Sequence, residues 1–177
     1  MITKTELNEL VKKYETPKFV ENDPIQFIHR YSHKTDAELA GFIASLFAYG
    51  NRKIFIKKLE DILSKANGDI TGFVKNGDFS SLRGIEYRFS KENDIIPIFE
   101  ILGELYNNSH GLEELFEYSW GKAEKTDYSK FFQTVVDYFY ARAPKIVGQG
   151  FYHMIPNPKM ARMITRNVLR NIFFIVF

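Results

Sequence analysis

Four kinds of side chain in this sequence have the chemistry to act on another molecule: histidines, clustered carboxylates, glycine-rich turns, and basic residues next to aromatic ones. His29, His33, His110 and His153 raise the question of a metal site. Only His29 and His33 stand at the i, i+4 spacing that places two ligands on one helix face. Tyr31-Ser32 between them reads as a helix end, and there is no HExxH context, so solvated or core histidines are the better reading. Glu113, Glu114 and Glu117 alternate with Leu112, Leu115 and Phe116, the pattern of a solvated helix face and not of an acid–base pair. Gly148 and Gly150 lack both the GKS or GKT ending and the preceding strand of a phosphate loop. No serine sits in GxSxG, and cysteine is absent, which removes thiolate nucleophiles and disulfides. No catalytic residue is assigned, and no cofactor is indicated.

The remaining candidate is Tyr49-Gly50-Asn51-Arg52-Lys53. A helix N-terminus offers N–H groups that suit a phosphate, with Arg52 and Lys53 beside it and Tyr49 as a stacking surface. A tight connection between two helices, with no ligand, explains the same residues. Tyr87-Arg88-Phe89 carries the same two readings: Arg88 between aromatic rings fits a nucleic-acid contact, or a loop pinned to the core.

The stretch that must position the first turn is Thr35–Leu63. Thr35 followed by Glu38 has the spacing of a capping box. Leu39, Phe42, Ile43, Leu46 and Phe47 then form a wide apolar face, and Ala37, Gly41, Ala44 and Ala48 a stripe of small side chains. Gly50 ends that helix in the left-handed region, and Asn51 caps the next, whose apolar face is Phe55, Leu59, Ile62 and Leu63.

Around this centre, helices are expected at Thr3–Tyr14, Pro24–Tyr31 (capped by Asn22-Asp23), Ile95–Tyr106, Leu112–Trp120 and Asp127–Arg142. A short helical turn is expected at Ile70–Val74. Pro17 interrupts the first register, Pro97 falls in a first helical turn, and Pro144 ends the last helix. Asp78–Ser90 and Gly148–Pro158 read as loops. The expected architecture is all-α, a single globular domain over residues 1–177 with about seven or eight helices.

The 177 residues are 45% apolar and 16% aromatic, which excludes disorder. The opening MITKTELNELVKKYE is not a signal peptide. The longest apolar run, Ile172–Phe177, falls far short of the roughly 20 residues that span a bilayer. A soluble, cytoplasmic protein without a membrane role is expected. The net charge of +2 divides unevenly: the first 137 residues hold 18 basic and 22 acidic side chains, and no acidic residue follows Asp137. Any basic footprint is therefore local.

Four blocks carry a resemblance: Asp23-Pro24-Ile-Gln-Phe-Ile-His-Arg30, then AELAGFIASLFAYGNRKIFIKKLEDIL, then YRFSKENDII, and finally FYHMIPNP. Together, over roughly Asn22 to Lys159, they resemble the family called domain of unknown function 2400. That family is distantly similar to helix–hairpin–helix DNA glycosylases of base-excision repair. The resemblance implies that Tyr49-Gly50-Asn51-Arg52 is a DNA-facing turn. It also implies an Asp-Thr-His segment in a C-terminal half, and this chain has none. After Lys159 it runs MARMITRNVLRNIFFIVF, which is expected to be an atypical tail left by truncation or frameshift after about Pro158. Two functions follow as expectations. One is an incomplete, catalytically inactive glycosylase-like protein that binds DNA weakly. The other is a non-enzymatic helical interaction module, with self-association through Ile172, Phe173 and Phe174.

Overall fold

The computed structural model describes residues 3–14, 16, 20–21, 23–123 and 128–157. Expectations that rest on Pro17, Asn22, Asp127, Pro158 and residues 159–177, including Ile172, Phe173 and Phe174, lie outside the described residues. Eight α-helices occur among the described residues: α1 Lys4–Tyr14, α2 Lys34–Phe47, α3 Arg52–Ser64, α4 Ile70–Asn76, α5 Glu92–Asn108, α6 Leu112–Lys122, α7 Tyr128–Arg142 and α8 Gln149–Met154. Two 3₁₀ segments, Pro24–Arg30 and Ser80–Leu82, complete the order. The chain is all-α, and the one β-type pairing among the described residues is the isolated bridge between Tyr87 and Ser90.

The core is organised around α2. Leu39, Phe42, Ile43, Leu46 and Phe47 are all buried, together with Ala40, Gly41, Ala44 and Ser45. The Pro24–Arg30 segment packs on this helix through Phe27, which is fully buried. Its start matches the expected chemistry, with Asp23 accepting from the Ile25 N–H at 3.0 Å and Pro24 at the first position. Phe139 of α7 stacks on Phe42 at 5.6 Å between ring centroids. Truncating a ring this enclosed costs about 3–5 kcal/mol. Helix α4 crosses α5 so closely that a Cβ on Gly103 would lie 2.3 Å from the Val74 carbonyl oxygen.

Four local expectations are corrected. The Thr35–Glu38 capping box does not form. Helix α2 begins at Lys34, and its cap position, His33, makes no side-chain cap bond. Glu38 is instead buried, accepting from the Tyr106 hydroxyl and from the Glu113 N–H at 3.3 Å. Burial holds the Glu38 carboxyl above its ordinary range, against the opposing pull of those hydrogen bonds. Thr35 meets Thr71, whose hydroxyl and backbone N–H also donate to Asp36, at 2.7 and 2.8 Å, so α2 is tied to the start of α4. A tertiary partner outbids a local cap when the carboxylate is carried into the interior.

The second correction concerns Pro97. Helix α5 starts at Glu92, because Asp94 reaches back to the Lys91 N–H at 3.0 Å, so Pro97 lies in the second turn and is buried. Third, residues 149–154 of the expected glycine loop form α8, with Phe151 and Met154 buried. Fourth, α4 extends to Asn76, beyond the single turn expected.

Helix α1 forms as expected, but Leu7, Leu10 and Val11 remain 41–49% exposed. No helix among the described residues is long and apolar enough to cross a membrane.

Candidate nucleic-acid interface

Helix α2 ends at Phe47, and the chain turns through Ala48 to Asn51 before α3 begins. Gly50 has φ +85°, which a side chain would strain. The space is also filled: an added Cβ would lie 2.7 Å from Arg88 Nη1 and 3.1 Å from Tyr87 Oη. Conformation is what requires glycine here, since the Arg88 guanidinium is the free end of a flexible side chain and can move aside, while Tyr87 Oη needs to give by only a few tenths of an ångström.

The group pressing on Gly50 comes from a second turn. Tyr87 and Ser90 exchange both backbone hydrogen bonds, at 2.8 and 3.0 Å, and enclose Arg88-Phe89 as a two-residue turn. Arg88 has φ +56°, a rare conformation for a long side chain and one that costs of order 1–3 kcal/mol. The Tyr87 hydroxyl donates to the Tyr49 carbonyl and locks the two turns together.

Helix α8 brings the third part. A Cβ on Gly150 would lie 2.6 Å from Ser90 Cα, so α8 sits directly on the base of the second turn. Asp94 clamps this junction by accepting from the Gly148 N–H at 2.6 Å while it holds Lys91. His153 then places its ring 4.6 Å from that of Tyr49 and 4.7 Å from that of Phe89, edge-on to both.

Burial pushes the Tyr49 hydroxyl up, opposed by its contact with Ser90, and burial also pushes Tyr87 up. Burial, helped by the Arg88 charge, holds the His153 imidazole below its usual value.

The six residues expected from the sequence meet different fates. Gly50 and Arg88 are brought into contact, and Tyr49 joins them. Tyr49 is half-buried between Tyr87 and His153, with its hydroxyl 3.2 Å from Ser90 Oγ, so its ring is not a free stacking surface. The exposed ring is Phe89, at 47%. Asn51 caps α3, accepting from the Lys53 N–H at 3.0 Å and the Ile54 N–H at 3.4 Å. Two of the amides that suit a phosphate are thereby occupied, and the positive end of α3 acts through its dipole and the exposed Arg52 and Lys53 side chains. Among the described residues, Arg52, Lys53 and Arg88 have no carboxylate within 4.0 Å, unlike Arg30, which pairs with Glu60 at 2.7 Å.

Sequence reasoning missed Ser90 and Asp94, and it set aside His153 and Gly150, which it had weighed only as a metal ligand and as part of a phosphate loop. Ser90, Asp94 and His153 lie in the blocks YRFSKENDII and FYHMIPNP, and Gly150 stands immediately before the second; the fold places both blocks against AYGNRK. Among the described residues, no group of three or more histidines or carboxylates is placed to hold a metal ion.

Fold and site together define an all-α protein that presents a basic, aromatic double turn at the end of its buried central helix. Residues 23–170 match the family model described as a protein of unknown function (DUF2400), and the chain belongs to that family. The match runs past Lys159, where the resemblance in the sequence blocks ends. No curated protein and no solved structure matches the chain.

Proposed function

We propose that the paired turns Tyr49–Lys53 and Tyr87–Ser90 form a weak, sequence-independent DNA-binding surface on a glycosylase-like helical domain. The observation that carries this reading is Arg88. Its backbone is held in a strained conformation, its guanidinium rests on a glycine, and among the described residues no carboxylate lies within 4.0 Å of it. Strain maintained by surrounding hydrogen bonds is characteristic of functional positions. Arg52, Lys53 and Arg88 would contact phosphates, and exposed Phe89 would meet a base or sugar. The resemblance to helix–hairpin–helix glycosylases supplies the choice of DNA, and likeness of fold alone carries no activity.

Fluorescence anisotropy with labelled duplex DNA tests the reading. Binding should weaken steeply with salt, and Arg52→Ala and Arg88→Ala should each reduce the logarithmic salt slope by about 1. Absence of binding at low salt sinks it. The alternative, a helical interaction module with no nucleic-acid role, draws on the acidic balance of the first 137 residues.

A further inference from the structure

A groove of about 510 Å³ opens between α5, α6 and α7, away from the paired turns. Each helix contributes the same pair of neighbours, a carboxylate followed by an apolar residue: Glu104-Leu105, Glu114-Leu115 and Asp137-Tyr138. Leu105 and Leu115 are buried and Tyr138 is half-buried, which makes an apolar floor, and the three carboxylates stand exposed around it. The groove already seats one cation of the chain's own. Arg142 places Nε 2.9 Å from Glu104 Oε1, and its guanidinium lies 3.8 Å from the centroid of the Tyr138 ring. Carboxylate and aromatic face together form a guanidinium seat. Among the described residues, Glu114 accepts only the His110 N–H, at 2.8 Å, and Asp137 only the Gln133 amide, at 2.7 Å. Among the described residues neither has a cation within 4.0 Å.

We propose that this groove docks a cationic amphipathic helix of a partner protein. Apolar side chains of that helix rest on Leu105, Leu115 and Tyr138, and its arginines pair with Glu114 and Asp137. Charge complementarity selects the occupant. The rim repels phosphates, so nucleic acid is excluded, and the apolar floor favours a helix laid along the groove over a small polar cation. The proposal is independent of DNA binding at the paired turns.

The test uses the full chain and a fluorescein-labelled synthetic peptide whose helix carries a stripe of leucines flanked on both sides by arginines. Anisotropy should show saturable binding. Glu114→Lys with Asp137→Lys should weaken it at least about tenfold, as expected for reversal of complementary charge. Glu114→Gln with Asp137→Asn retains both hydrogen bonds and should still weaken binding several-fold, which separates charge loss from damage to the fold. Arg52→Ala should leave it unchanged. The proposal is overturned if a scrambled peptide of equal charge binds as well, or if the charge reversal changes nothing. It is overturned equally if the reversal abolishes concentration-dependent self-association, because the occupant is then a second copy of this chain.

Discussion

The paired turns at Gly50 and the groove beside Tyr138 are both exposed and both rich in aromatic rings, yet they are built in opposite ways. At the turns, backbone does the positioning. Gly50 sits at φ +85° and Arg88 at φ +56°, and the Tyr87 hydroxyl holds the two segments in register. At the groove, ordinary helices position everything, and the chemistry comes from which side chains face outward. Among the described residues, the turns leave Arg52, Lys53 and Arg88 without a carboxylate partner, and the groove leaves Glu114 and Asp137 without a cation. The positive φ at Gly50 marks the first as sensitive to substitution. The second should tolerate substitution and respond chiefly in binding.

The difference predicts where the molecule breaks. Gly50→Ala introduces a Cβ at positive φ and against Arg88 and Tyr87. It should destabilise the chain by about 2 kcal/mol in urea unfolding, whereas Ala141→Ser at the groove should stay within about 0.5 kcal/mol. Equal losses would erase the contrast. Next in size is DNA binding: Arg52→Ala with Arg88→Ala should lower affinity about tenfold at fixed low salt, and Asp137→Asn should not lower it. Arg88→Gly sharpens this further, because it relieves the strained φ. It should hold or raise thermal stability while weakening DNA binding, a separation that alanine does not provide.

A smaller effect concerns pH. The His153 imidazole is held down in the folded chain, so below its unfolded value of about 6.5 the unfolded state binds more protons. Its contribution to stability is full above that pH and is lost as pH falls through the folded value. Thermal midpoints should decline on acidification from neutral pH, and His153→Phe should flatten that decline. An unchanged slope would show that His153 is not the titrating group. The smallest effect belongs to the groove: Arg142→Gln breaks a solvent-exposed ion pair with Glu104 and should cost at most about 1 kcal/mol in urea unfolding.

Much of the scaffold was legible in the sequence because it follows short-range rules. The apolar face of α2, the Asp23 cap ahead of Pro24, the Asn51 cap and the turn at Gly50 all depend on neighbours within about one helical turn. The failures share a cause. Thr35 and Glu38 have the spacing of a capping box, yet Glu38 is drawn inward by Tyr106, 68 residues away. Residues 149–154 read as a glycine loop, yet burial of Phe151 and the Asp94 clamp on Gly148 fold them into α8. His153 could not be assigned to this site because its partners, Tyr49 and Phe89, lie far back in the chain.

By itself, then, the sequence determined that this protein is all-α, that a small-residue helix runs through its centre, and that a glycine turn joins it to a basic helix. Hydrophobic periodicity and capping act between residues a few positions apart, so they can be read from one stretch at a time. Only the tertiary structure decided that the turn at Gly50 would carry Arg88 on its surface and His153 at its side. It alone also decided that three carboxylate–apolar pairs would meet in one groove. Those arrangements come from contacts between distant segments, where packing and burial choose among many locally acceptable conformations.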